Sequence, residues 1–90
     1  MKHYRLTAHG RVQGVGFRWG VYQYASQRPI SGYVQNQVDG TVTIDCQAEE
    51  PELRSLVSFV KQGPTPYARV FQLDQQELTI DPRLTDFSIR

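Results

Sequence analysis

The period of the chain changes across one segment, Gly10-Arg11-Val12-Gln13-Gly14-Val15-Gly16-Phe17-Arg18. Before it, polar and apolar residues alternate from Lys2 to Val12. Tyr4, Leu6, Ala8 and Val12 fall on one face, and His3, Arg5, Thr7, His9 and Arg11 on the other. That pattern is a strand with one wet side. After the segment, Phe17, Val21, Tyr24 and Ala25 form the apolar stripe of an amphipathic helix running to Arg28, where Pro29 stops it. A strand that enters a helix through Gly14 and Gly16 exposes several backbone N–H groups in one direction. The helix N-terminus adds about half a positive charge. Arg18, in the first helical turn, adds a full charge and a planar fork of donors. The glycine bend, the helix start and Arg18 are therefore read together as a cradle for a doubly charged tetrahedral anion, best matched by phosphate.

The remaining periodicities set the architecture. Ile30–Gln37 and Thr41–Ala48 read as strands joined at Asp39-Gly40, a hairpin turn signal. In the second of them Val42, Ile44, Cys46 and Ala48 point inward, and Thr41, Thr43, Asp45 and Gln47 outward. A helix follows, with Pro51 in its first turn, the stripe Leu53, Leu56, Val57 and Val60, and Gly63-Pro64 as its stop. Thr65–Ala68 is a loop, Arg69–Leu78 a fourth strand with weaker alternation, and Phe87-Ser88-Ile89-Arg90 leaves room for a short fifth. The order βαββαβ, with one apolar side per strand, implies an α+β fold of the ferredoxin-like, split βαβ type. It should have an antiparallel sheet with both helices on one face, and crossovers that bring the two outer segments of the order into the middle. Ninety residues suit one domain, 1–90.

Composition narrows the functions. A net charge of +1 offers no basic surplus for nucleic acid, and the 39% of hydrophobic residues supply a small core. The outward residues of the first and third strands include no Phe, Tyr or Trp on which RNA bases would stack, only His3 and His9. The N-terminal Met1–Arg5 lacks the apolar run of a signal peptide, and no stretch is long enough to span a membrane. The lone Cys46 cannot form an internal disulfide and falls on the apolar face of a strand, as a small buried hydrophobe would. The expectation is a cytoplasmic protein, monomeric, with no membrane or nucleic-acid partner.

Other chemistries fit poorly. His3 and His9 lack partners at metal-ligand spacing, so no metal is expected. Glu49, Glu50 and Glu52 crowd a helix start, where acids favour the dipole. A dinucleotide fingerprint requires a glycine where Trp19 stands, and no Gly-Lys-Ser/Thr closes a nucleotide P-loop. Arg18 remains unusual because its charge opposes the local helix dipole, and such violations tend to mark sites. Asn36 shares parity with Ile30 and Val34, which turns its amide toward the helix-covered face, where a polar group needs partners. Read alone, it is a turn-stabilising residue beside the hairpin.

Taken together, Gly10–Arg18, the hairpin residues Gly32, Val34, Asn36, Asp39, Gly40 and Val42, then Gly63-Pro64, Ala68-Arg69-Val70 and Phe87–Arg90 resemble the acylphosphatase family over nearly the whole chain. The resemblance implies a ferredoxin-like enzyme that hydrolyses the carboxyl–phosphate bond of acyl phosphates, releasing inorganic phosphate, with no metal or cofactor. It also implies roles: Arg18 as the phosphate-binding arginine, the amides of Gln13 through Phe17 as the phosphate loop, and Asn36 as the residue that positions the attacking water. Two departures stand out. Arg28-Pro29-Ile30 replaces the Leu-Gly-Leu usual after the first helix, so that helix must end by another geometry, and Tyr33 stands where tryptophan is common. The alternative is a noncatalytic phosphate- or anion-binding module built on the same cradle.

Overall fold

Residues 1–90 are described by the computed structural model, in which the strand β1 spans Lys2–Arg11 and runs into the helix α1, Phe17–Ser26. The strands β2 (Ser31–Asn36) and β3 (Val42–Ala48) form the hairpin, α2 (Glu50–Lys61) follows, and β4 (Arg69–Leu78) and β5 (Phe87–Ile89) complete the chain. The ferredoxin-like α+β architecture is therefore present, with an added fifth strand.

The sheet order is β4-β1-β3-β2-β5. β1 pairs antiparallel with β3 and β4, and β3 pairs antiparallel with β2. Each βαβ unit thus leaves a gap that one strand of the other unit fills: β3 lies between β1 and β2, and β1 between β3 and β4. Two expectations are corrected. The central strands are β1 and β3, whereas β4, expected in the middle, lies at an edge. The sheet is mixed rather than wholly antiparallel, because β5 pairs parallel with β2 through Gly32–Phe87, Tyr33–Ser88 and Val34–Ile89.

Both helices bury their stripes on one sheet face. Phe17, Val21 and Ala25 from α1 and Leu53, Leu56 and Val60 from α2 join Leu6, Ala8, Val34, Val42, Ile44, Cys46 and Ala48 in a single core cluster. Each buried Val, Leu, Ile or Phe contributes about 1.5–3 kcal/mol relative to exposure, and this layer holds the fold together.

The opposite face is wet at Arg5 and Arg11, but not throughout as alternation suggested. Thr43, Asp45 and Gln47 of β3 are all buried, and so is His3 of β1. A strap of chain, residues 79–86, leaves the β4 edge and crosses the outer face to reach β5 beyond the far side of β2. The Gln47 side chain clasps it twice: Gln47 Nε2 donates to the Asp81 carbonyl at 2.9 Å, and Asp81 N–H donates to Gln47 Oε1 at 2.7 Å. His3 Nδ1 lies 2.8 Å from the Thr79 carbonyl oxygen, and His3 Nε2 lies 2.6 Å from Asp45 Oδ1. The covered outward residues are thus hydrogen-bonded rather than solvated.

The first helix ends at Ser26, two positions before the expected Arg28. With no glycine to adopt a left-handed cap, Arg28 takes over. Its N–H donates to the Ala25 carbonyl at 3.1 Å, its Nη1 donates to the Tyr24 carbonyl at 2.9 Å, and its guanidinium lies 3.7 Å from the centre of the Tyr24 ring. A side chain thereby satisfies carbonyls that every helix end leaves open. No helix of the protein is long and apolar enough to cross a membrane.

Candidate active site

The loop between β1 and α1 is shaped by its glycines. Gly14 has φ 73° and Gly16 has φ 76°, left-handed values that glycine adopts without the steric cost of a Cβ. Gly16 is the N-cap of α1, where it offers no side-chain cap, and the first turn contains no acidic residue. The N–H groups from Gln13 to Trp19 accordingly have no acceptor within the protein. Unpaired donors at a helix start, biased positive by the dipole, favour an anion.

A cavity of about 250 Å3 lies against this loop. Gly14 and Gly16 form part of its wall, Val12 and Phe17 line its buried side, and Trp19 and Ile89 flank it as exposed apolar residues. Arg18 and Asn36 both reach it from separate elements. Arg18 comes from the first turn of α1 and is half-buried; its Nη1 donates to the Arg90 carbonyl at 3.2 Å. Arg90 is itself fixed, since its N–H donates to the Val34 carbonyl at 2.8 Å and its guanidinium lies 3.9 Å from the centre of the Tyr33 ring. Asn36 closes β2, and its Oδ1 is buried without any hydrogen-bond partner. It is the one orphaned buried side-chain polar atom in the molecule. Leaving such an acceptor unpaired costs about 1–3 kcal/mol, a cost that a donor entering the cavity would relieve.

The sequence reading placed Arg18, Asn36 and the loop at one site, and the fold sets Arg18, Asn36 and part of the loop around one cavity. Gly14, Gly16 and Phe17 line the cavity, whereas Gln13 and Val15 do not. The Gln13 side chain turns to the hairpin, and the Val15 carbonyl accepts a 2.9 Å hydrogen bond from Thr65 Oγ1. The sequence reading missed Trp19, Ile89 and Arg90. The last two arrive through β5, whose three residues carry too short an alternation to announce a position in the sheet.

Titration at the surrounding groups follows from their contacts. Hydrogen bonds from the Thr41 hydroxyl and then the Thr41 N–H hold the Asp39 carboxyl below the usual carboxylate range, which locks the hairpin turn as an Asx turn. Burial, with the nearby Asp45 charge, pushes the Cys46 thiol up to about 12. No group of three or more His, Cys, Asp or Glu side chains is placed to hold a metal ion. A larger hollow of about 540 Å3 lies beside α2, but its lining includes neither the glycine loop nor the orphaned acceptor.

Known proteins resemble this chain over its whole length. The family model described as Acylphosphatase matches residues 4–89. The acylphosphatase of Oceanobacillus iheyensis is 39% identical over 90 residues, covering 100% of this chain and 99% of that protein. That of Bacillus subtilis is 42% identical over 77 residues, covering 86% and 84%. The crystal structure of acylphosphatase from Bacillus subtilis superposes with a TM-score of 0.94 at 39% identity, covering 100% of this chain and 99% of the other. The chain also matches, at 28% identity and a TM-score of 0.86, 12% of the much longer HypF of T. kodakarensis.

Proposed function

The chain belongs to the acylphosphatase family and hydrolyses the carboxyl–phosphate bond of acyl phosphates, and from that premise we propose that it does so without a metal, through Arg18, the loop amides and Asn36. Arg18 and the N–H groups of Gln13 through Phe17 bind the three phosphoryl oxygens. Asn36 Oδ1 accepts a hydrogen bond from the attacking water, which turns a lone pair of that water toward phosphorus. The carboxylate leaves on the opposite side.

The chemistry explains why so few groups suffice. The departing carboxylate has a conjugate acid of pKa about 4, so no general acid is required at neutral pH. The transition state of phosphoryl transfer is loose, and the water needs little activation. Positioning and charge stabilisation remain, and both can be supplied by preorganised donors. The observation that carries the reading is one cavity lined by Gly14, Gly16 and Phe17, whose N–H groups are unpaired, by Arg18, and by Asn36 with its orphaned acceptor. The metal-free part rests on the leaving group, a carboxylate that departs without a Lewis acid to neutralise it. We read the enzyme as a cytoplasmic monomer acting on a free small molecule, in keeping with its one cysteine being unpaired.

The test is phosphate release from a simple acyl phosphate against a phosphate monoester. Wild type should cleave the first and leave the second, whose alkoxide needs a proton donor. Arg18→Gln should lose turnover and also competitive inhibition by inorganic phosphate. Asn36→Ala should lower kcat by about 100-fold or more while phosphate still inhibits. A chelator should leave all these rates unchanged. Phosphate inhibition that survives Arg18→Gln would remove Arg18 from the cradle.

A further inference from the structure

Gln13 opens the glycine loop, yet its side chain leaves the cavity and reaches across to the hairpin. Its Nε2 donates to the Gln37 carbonyl at 2.7 Å and to the Thr41 carbonyl at 2.9 Å. These two carbonyls stand at the two ends of the turn that joins β2 to β3. The backbone already pairs there, since Gln37 N–H donates to the Thr41 carbonyl at 2.9 Å. Gln37 is covalently next to Asn36, whose Oδ1 is the orphaned acceptor. One primary amide, with both of its protons in use, therefore ties the start of the loop to the residue beside Asn36.

We propose that Gln13 is a positioning residue that sets the distance between the anion cradle and Asn36. The inference rests on the reading of those groups given above. The loop carries the phosphoryl group and the hairpin carries the water, and the two belong to different elements. In-line attack requires their relative placement to be fixed, and a displacement of about 1 Å can cost about 100-fold in rate. The far side of the loop has its own tether, Thr65 Oγ1 to the Val15 carbonyl at 2.9 Å. That tether holds the loop to the α2–β4 connection; beyond the last β1–β3 pair, Ala8–Val42, the side-chain hydrogen bonds that hold the loop to the hairpin are those of Gln13. The position demands a donor of two protons. A glutamate of the same shape would set a carboxylate against two carbonyl oxygens, and a leucine would supply nothing.

The experiment is steady-state kinetics of Gln13→Glu, Gln13→Leu, Asn36→Ala and the double variant Gln13→Leu/Asn36→Ala, with inorganic phosphate as the competitive inhibitor. Folding is checked by circular dichroism and thermal melting. Should Gln13→Leu fail to fold, Gln13→Glu takes its place in the double variant. Gln13→Leu and Gln13→Glu should each lower kcat by ~10- to 100-fold, with the phosphate inhibition constant changed by less than about threefold. Gln13→Leu should add less than about threefold to the defect of Asn36→Ala, because the two substitutions act through one group. Turnover within about twofold of wild type in Gln13→Glu, full multiplication of the two defects, or loss of phosphate inhibition on removing Gln13 would each overturn the proposal. Wild-type turnover in Asn36→Ala is the distinct result that overturns the reading of the site, and this inference with it.

Discussion

Gly14 separates what space allows from what backbone torsion allows. A Cβ added there would meet nothing within 4 Å, so no neighbour resists a side chain. Its φ of 73° does resist one, at about 1–2 kcal/mol for an L-residue. Gly14→Ala should therefore either keep the loop and lose that much stability, or relax the loop and turn its amides out of the cavity. Turnover is kept in the first case and kcat/KM falls in the second, and urea unfolding measured beside turnover distinguishes the two. Unchanged stability with unchanged turnover would mean that the loop torsion is immaterial. Gly14, Gly16 and Arg18 were legible in the sequence because the loop that carries them is contiguous and lies at a change of period. Strand parity turned Asn36 toward the helix-covered face, but its role at the site came only from the family resemblance. The contacts that hold Arg18 and Gln13 in place, to Arg90 and to the hairpin carbonyls, were not: they join residues 72 and at least 24 positions apart, and no local pattern encodes them.

At the scale of elements, alternation identified which strand residues share a side and misjudged what covers that side. His3, Thr43, Asp45 and Gln47 do point away from the helices, but the strap between β4 and β5 lies over His3, Asp45 and Gln47, and the Gln37 side chain donates to Thr43 Oγ1 at 3.0 Å. The strap has no period of its own, so nothing in its sequence announced where it runs. Its clasp titrates. Burial alone would lower the His3 pKa, but the Thr79 carbonyl and then the Asp45 carboxylate outweigh it, with Asp81 adding to them, and the net shift is upward from 6.5. Both ring nitrogens face acceptors, at 2.8 Å and 2.6 Å, so both contacts are donated only by the imidazolium. From the β1 side, Arg5 Nη2 donates to the other Asp45 oxygen, Oδ2, at 3.4 Å. A group whose pKa is higher in the folded state stabilises fully below its unfolded pKa and loses that effect as pH rises through the folded one. Unfolding free energy should therefore decline from about pH 6.5 upward. In His3→Gln that decline should vanish, and stability should be about 3–5 kcal/mol lower at acid pH because Asp45 is left without its buried partner. Urea titrations between pH 6 and pH 9 measure both. An unaltered pH slope in His3→Gln would place the titration elsewhere.

For the molecule as a whole, the interlocked βαβ units make β1 and β3 the hydrogen-bonded centre of the sheet, with β3 wholly buried. Cys46 sits in β3, is 1% exposed, and faces the core rather than the cavity. Its thiol is raised from 9.0 to about 12, which leaves about a thousandfold less of the thiolate that reacts with disulfide reagents. Labelling of Cys46 should therefore require opening of the central strands, and its rate should rise with urea as steeply as global unfolding does. A labelling rate indifferent to urea would mean that β3 opens by local fluctuation. The same thiol then reports on the site at a distance. A ligand that binds only the folded protein raises its stability by RT ln(1 + [L]/Kd), so phosphate at 100 times its Kd should slow labelling by about 100-fold. Inorganic phosphate cannot shield Cys46 by contact, since the residue does not line the cavity. Protection in wild type that disappears in Arg18→Gln would tie the anion cradle to the stability of the whole sheet. Equal protection in both proteins would show that phosphate binds somewhere other than Arg18.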